Sequence, residues 1–281
     1  MRWWCSNDGS NWSWTWKPYI GAWAIVAAVA VWLWRSGAFR SEVPARRKIS
    51  LALGLVLILG GTDWPLSTLG AGYVVSAQMV RQVLIVMIAC PLVLFGAPES
   101  LGRWIEATPR RRAVLRIATH PLLALVVSVS LLFAVSAPIL VDPLVTSQLG
   151  SFALDLAWIS AGFLIWMPVQ PPSPMVPRLR GPVAIVYLIG VSVAPLPVAF
   201  FMTWSPTPIY SVYELAPRVW DTFDAQSDQE LAAAIFQVAG GLVIWAQIAV
   251  RFVRMAGGGG GSTAGPKFRG TLVGATPATD G

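Results

Sequence analysis

The stretch SAQMVRQVLIVMIACPLVLFGAP, residues 76–98, decides how the chain is read. It carries no charge between Arg81 and Glu99. With the apolar residues before it, it exceeds the roughly 20 residues that carry a helix across a hydrocarbon core. Yet Gln78, Arg81 and Gln82 fall within about one helical turn of each other. An ionised side chain inside a bilayer costs roughly 2.5 to 3.5 kcal/mol on insertion scales, so such groups face neighbouring helices and find partners there. The stretch therefore reads as a membrane-spanning helix whose polar side faces a bundle.

Composition points the same way. Of 281 residues, 56% are hydrophobic and only 12% charged, and the mean hydropathy is +0.64. This excludes an ordinary soluble domain and predicts an all-α, polytopic membrane protein. Apolar runs at about 19–34, 49–62, 71–95, 121–141, 149–169, 182–202 and 231–253 predict seven transmembrane helices. The net charge of +7 is assigned to loops and not to a nucleic-acid partner. Arg35, Arg40, Arg46, Arg47 and Lys48 follow the first run; Arg103, Arg110, Arg111, Arg112 and Arg116 follow the third; Arg178 and Arg180 follow the fifth; Arg251 and Arg254 close the last. The intervening loops carry Asp63, Asp142 and then Glu214, Asp221, Asp224 and Asp228, with Arg218 the one base among them. The positive-inside rule then puts the N-terminus outside and the C-terminus inside.

Three regions follow: an outer tryptophan-rich segment (1–18), a membrane domain (19–253) and a glycine-rich tail (254–281) expected to be flexible. No cleavable signal peptide is expected, because MRWWCSNDGS lacks an apolar core. The indoles of the first segment read as an interfacial belt. Between Pro98 and Pro121, apolar residues interleave with arginines, which predicts a surface amphipathic helix broken at Pro109. Cys5 is placed outside and Cys90 deep in the third helix, so the two do not pair.

Within the membrane, Arg81 lies ~10 to 15 Å below the outer end of the third helix, and Asp155 ~9 Å below the same end of the fifth. The comparable depth predicts an ion pair with Gln78 and Gln82 hydrogen-bonding around it. The alternative is an Arg81 that snorkels to the headgroups beside a protonated Asp155. Met79, Met87 and Cys90 fall within roughly an 80° arc of one helix face. Thioethers and thiols suit Cu(I), but Met79 and Met87 are ~12 Å apart along the axis, so apolar filling of an interface is the competing reading. His120 is the single histidine. It precedes Pro121, where it can cap the fourth helix, and alone it makes no multi-histidine metal site. No nucleophile with a base, phosphate loop or metalloprotease motif is present, so the chain is not read as an enzyme. No Lys in a late span could carry retinal, which removes a retinal-based sensor.

A set of short elements, each weak alone, gains weight from its order. It comprises W-x-W-x-P-Y (Trp14, Trp16, Pro18, Tyr19), DWPLSTLGAGYVVSAQMVRQV followed by PLVLFGAP, His120 with Pro121, SAP around Pro138, AGFLIWMP at 161–168 and SDQELAA at 227–233. In this order and spacing, over about residues 14–253, the chain resembles the CtaG family of caa3-type cytochrome c oxidase assembly factors. The resemblance implies a multi-pass protein of the bacterial plasma membrane whose partners are subunits of a haem-copper oxidase and the lipid bilayer. The family is thought to handle copper during oxidase maturation.

This chain departs from the family pattern at the residues that would do so. Where the family reads HMxxH, the chain has Gln78, Met79, Val80, Arg81 and Gln82. Other family histidines fall at Ser136, Ser151 and Asp155. Met79, Asp228 and Gln229 match the pattern. The resemblance thus marks a polar cluster of Gln78, Met79, Arg81, Gln82, Ser136, Ser151 and Asp155, with Asp228 and Gln229 as an outer motif and Met79 as a weak copper ligand. The expected role is assembly of, or accessory binding to, an oxidase, without a resident cofactor. The alternative is a small-solute or ion transporter whose path is lined by Arg81 and Asp155.

Overall fold

The computed structural model describes residues 2–7, 9–172, 178–220 and 222–258; within them the chain is helical, with no strand. In chain order the helices are α1 (Ile20–Arg35), α2 (Ala45–Thr62), α3 (Leu66–Gly72) and α4 (Val75–Gly96). Next come α5 (Glu99–Glu106), α6 (Pro109–Ala118), α7 (Pro121–Ala134), α8 (Pro138–Val145) and α9 (Gln148–Trp166). The last are α10 (Gly181–Trp204), the single turn α11 (Ser211–Glu214) and α12 (Ala225–Gly257).

Four of these, α4, α9, α10 and α12, are long and apolar enough to cross a membrane alone. Two bent pairs reach that length together: α2 with α3, at 41°, and α6 with α7, at 74°. The structure therefore holds four to six candidate spans, and α1, at 16 residues, is a shorter apolar helix beside them.

Local sequence explains the ends. Prolines open α6, α7 and α8, where a missing N–H costs nothing and φ is already helical. His120 caps α7, its Nδ1 accepting from Leu123 N–H at 3.5 Å. Ser147 caps α9, accepting from Gly150 N–H at 2.9 Å, and Asp224 caps α12, accepting from Ser227 N–H at 2.7 Å. That Ser227 N–H holds the exposed Asp224 carboxyl below its ordinary pKa.

Three boundaries differ from the sequence expectation. The fourth run (121–141) is not one helix: α7 stops at Ala134 and α8 restarts at Pro138. Proline forces the residue before it out of the α region, and Ala137 is extended (φ −71, ψ 130). The third run loses its first residues to α3, a separate bent helix. The last helix starts at Ala225, so SDQELAA is helical, and it continues through 254–257. Most of the glycine-rich tail, 259–281, lies outside the described residues.

α4 is the most enclosed span, 61% buried, against 33% for α10 and 28% for α12. The outer faces of α1, α10 and α12 present exposed Trp, Val, Leu and Phe side chains, as lipid-facing helices do. A side-chain carbon added at Gly96 would sit 2.7 Å from the Arg47 carbonyl, and one at Gly54 would lie 3.1 Å from the Ala89 carbonyl. α2 and the second half of α4 therefore run with backbones nearly touching, as small residues permit between membrane helices.

Candidate functional site

Arg81 lies near the start of α4 and is 1% exposed, as is Asp155 one third of the way along α9. Their side chains meet: Arg81 Nη2 donates to Asp155 Oδ1 at 2.7 Å and to Oδ2 at 2.9 Å. The rest of the guanidinium is used on α2 and on α4 itself. Nε donates to the Gly61 carbonyl at 2.7 Å, near the end of α2, and Nη1 to Gln78 Oε1 at 2.8 Å. The Trp158 ring lies 5.4 Å from the guanidinium carbon, within cation–π range. The planar fork thus joins α2, α4 and α9 through one charge, a geometry a lysine could not reproduce.

Asp155 accepts a third hydrogen bond, from a donor that sequence reasoning missed. Trp4 Nε1–H donates to Asp155 Oδ2 at 3.0 Å, and Cys5 Sγ lies 3.9 Å from Arg81 Nη2. Trp4 is 4% exposed and Cys5 is fully buried, so this part of the tryptophan-rich segment plugs the bundle instead of resting at an interface. Both backbone N–H groups of Trp3 and Trp4 donate to Gln148 Oε1, Asn7 N–H donates to the Val145 carbonyl, and Gly21 N–H donates to the Trp3 carbonyl. Phe152 packs against both indoles. The partial signal for this was Asp155 itself, since a carboxylate has about four acceptor sites and a guanidinium fork presents it with about two donors. Nothing in WWCS identified which indole would answer.

The other marked residues separate into three places. Gln78 joins the clasp, but Gln82 does not: its Nε2 is buried without a hydrogen-bond partner, as is Ser136 Oγ. The two line a cavity of about 20 Å³ between α4, α7, α10 and α12. Gln82 sits ~100° around the helix from Arg81, which turns it away from the ion pair. Ser151, at 1% exposure, bonds the nearby Val145 carbonyl at 3.5 Å and stays local. Met79 is ~160° from Arg81 around the axis and packs in the main apolar core with Met202, Tyr210 and Tyr213. A π-helical segment (Leu84–Ala89) contains Met87 and lies between Met79 and Cys90, which breaks the single face on which the sequence placed all three. Cys90 faces Gly162, where an added carbon would come within 2.6 Å of its sulfur. Among the described residues, no three of His, Cys, Asp and Glu converge.

Asp228 and Gln229 act on backbone. Asp228, at the start of α12, accepts from the N–H groups of Val75 (2.5 Å) and Ser76 (3.0 Å). It caps the N-terminus of α4 from another helix, where a carboxylate meets unpaired donors and the positive end of the helix dipole. Gln229 bridges two chain segments, accepting from Ile209 N–H at 2.7 Å and donating to the Met202 carbonyl at 2.9 Å. The connection between α10 and α12, read from sequence as a loop, is also anchored. Tyr210 donates to the Ser136 carbonyl, Tyr213 to the Gly70 carbonyl, and Asp142 accepts from both N–H and hydroxyl of Ser211.

The model of the cytochrome c oxidase caa3 assembly factor family matches residues 25–257. The chain belongs to this family. No curated protein and no solved structure matches it. The match runs from within α1 to the end of α12, so it takes in every helix that contributes to the clasp and to the Asp228 cap. The first residues of the chain, Trp4 and Cys5 included, lie outside it. Membership implies the role of a cytochrome c oxidase assembly factor, and the long apolar helices are those of a membrane protein.

Proposed function

We propose that this protein assists a haem-copper respiratory oxidase of the bacterial plasma membrane by binding and positioning its membrane subunits, without itself holding copper or catalysing a reaction. The observation that carries this reading is the Arg81 clasp. It lies where the family resemblance sets metal-binding imidazoles, and every oxygen of Asp155 and the Oε1 of Gln78 are already committed to donors. A guanidinium at this position repels a cation, and an amide oxygen is a poor ligand for Cu(I). Met79, the remaining soft donor of the motif, points to the opposite side of its helix. The transport alternative needs Arg81 and Asp155 to face a path; they face each other.

On this reading the bundle crosses the membrane seven times, with α1, α2, α7 and the four long helices each spanning once, and with the arginine-bearing α6 lying on the cytoplasmic face. The 16 residues of α1 rise ~24 Å, which suffices for a thin or locally compressed core. The arginine clusters then fall on the cytoplasmic side, with the N-terminal plug outside.

The test is recovery of the tagged protein from native membranes in a mild detergent, paired with oxidase activity after deletion of its gene. We expect oxidase subunits to co-purify and oxidase activity to fall on deletion. Recovery without any oxidase subunit, together with unchanged activity in the deletion strain, would sink the proposal.

A further inference from the structure

At the end of the bundle opposite the clasp, a cavity of about 1000 Å³ opens between α4, α10, α12 and the segment leading into α10. Its rim carries Arg178, Arg180, Arg251 and Arg254, and its walls carry Ile88, Leu92, Phe95 and Val243. The positive charges are uncompensated. The sequence has no Asp or Glu in 170–213 or in 231–279. Among the described residues, none of the four arginines makes an ion pair or donates a hydrogen bond, and Arg251 Nε is buried with no partner at all. Elsewhere at this end arginines find partners: Arg47 bonds Glu99 and the Ala97 carbonyl, and Arg112 the Glu106 carbonyl.

Orienting a loop across a membrane needs only charge near the helix ends. It needs neither a cavity nor a buried, unsatisfied guanidinium nitrogen. Four guanidinium groups around one opening repel each other and present a fork geometry that matches phosphate oxygens. The apolar walls continue below them into the bundle and suit a hydrocarbon chain.

We propose that this cavity binds the phosphate of an anionic phospholipid, with the headgroup on Arg178, Arg180, Arg251 and Arg254 and an acyl chain along the Ile88, Leu92, Phe95 and Val243 wall. Basic pockets between membrane helices take anionic headgroups by this chemistry. The site is independent of the clasp and of any role in oxidase assembly. A free phosphate shares the headgroup chemistry but leaves the apolar wall without an occupant.

Native mass spectrometry of the delipidated full-length protein, offered equimolar phosphatidylglycerol and phosphatidylcholine, tests it. Phosphatidylglycerol should be retained preferentially, one per chain, and equal inorganic phosphate should not displace it. The double variant Arg251→Gln, Arg254→Gln should weaken retention by about 30-fold. Arg110→Gln, Arg111→Gln removes the same charge from α6 and should leave retention unchanged. Equal retention of the two lipids by the wild-type protein would overturn the site without recourse to any variant. Displacement by inorganic phosphate, or equal losses in the two double variants, would overturn it as well.

Discussion

Arg81 is the residue on which the buried polar arrangement depends. Taking an ion pair out of water is expensive, and removing one partner leaves an uncompensated charge that costs about 3 to 5 kcal/mol. Arg81→Ala and Asp155→Ala should each lower the unfolding free energy in detergent by an amount in that range. Arg81→Leu with Asp155→Leu should recover a large part of the loss, because no bare charge remains. A double variant as unstable as the sum of the single ones would contradict the pairing. The pair itself was legible from sequence, since two costly groups at equal depth have few other ways to be satisfied. Gln82 was not: it shares a turn with Arg81, but its angle on the helix takes it to the cavity with Ser136.

At the scale of elements, the N-terminal segment behaves as a plug, and its cysteine reports on it. Cys5 is fully buried beneath Trp4, so in the folded protein it should resist a maleimide that labels it after unfolding. Trp4→Ala should speed labelling, and rapid labelling of the native wild type would show that the plug is not seated. The connection before α12 carries a pH-sensitive anchor. Burial raises the Tyr213 hydroxyl well above its ordinary pKa of 10.0. A group whose folded value is raised contributes stability that is complete below its unfolded value and lost as pH rises past it. Thermal stability should therefore fall above about pH 10, and by less in Tyr213→Phe than in the wild type. Equal falls would remove Tyr213 from the account. These two elements were the least legible in sequence, since neither coil has a hydrophobic period to read. The long apolar helices were legible from their length. The break before Pro138 was also written in the chain, as Ala137 precedes a proline, but the unbroken hydropathy of 121–141 concealed it.

For the whole molecule, the scaffold of a cytochrome c oxidase assembly factor is retained while its polar centre is built from a guanidinium, a carboxylate, an amide and an indole. Asp228 and Gln229 hold the start of α4 and the end of α10 in place. What the centre does here is fix three helices and a plug; on the proposed function, other subunits are engaged through the outer surfaces. Copper stoichiometry separates this from a metal-delivery role. Purified full-length protein loaded with Cu(I), washed with a weak chelator and analysed for metal should hold copper well below one ion per chain, with no change in Met79→Leu. A full equivalent that survives the wash and disappears in Met79→Leu would contradict the account.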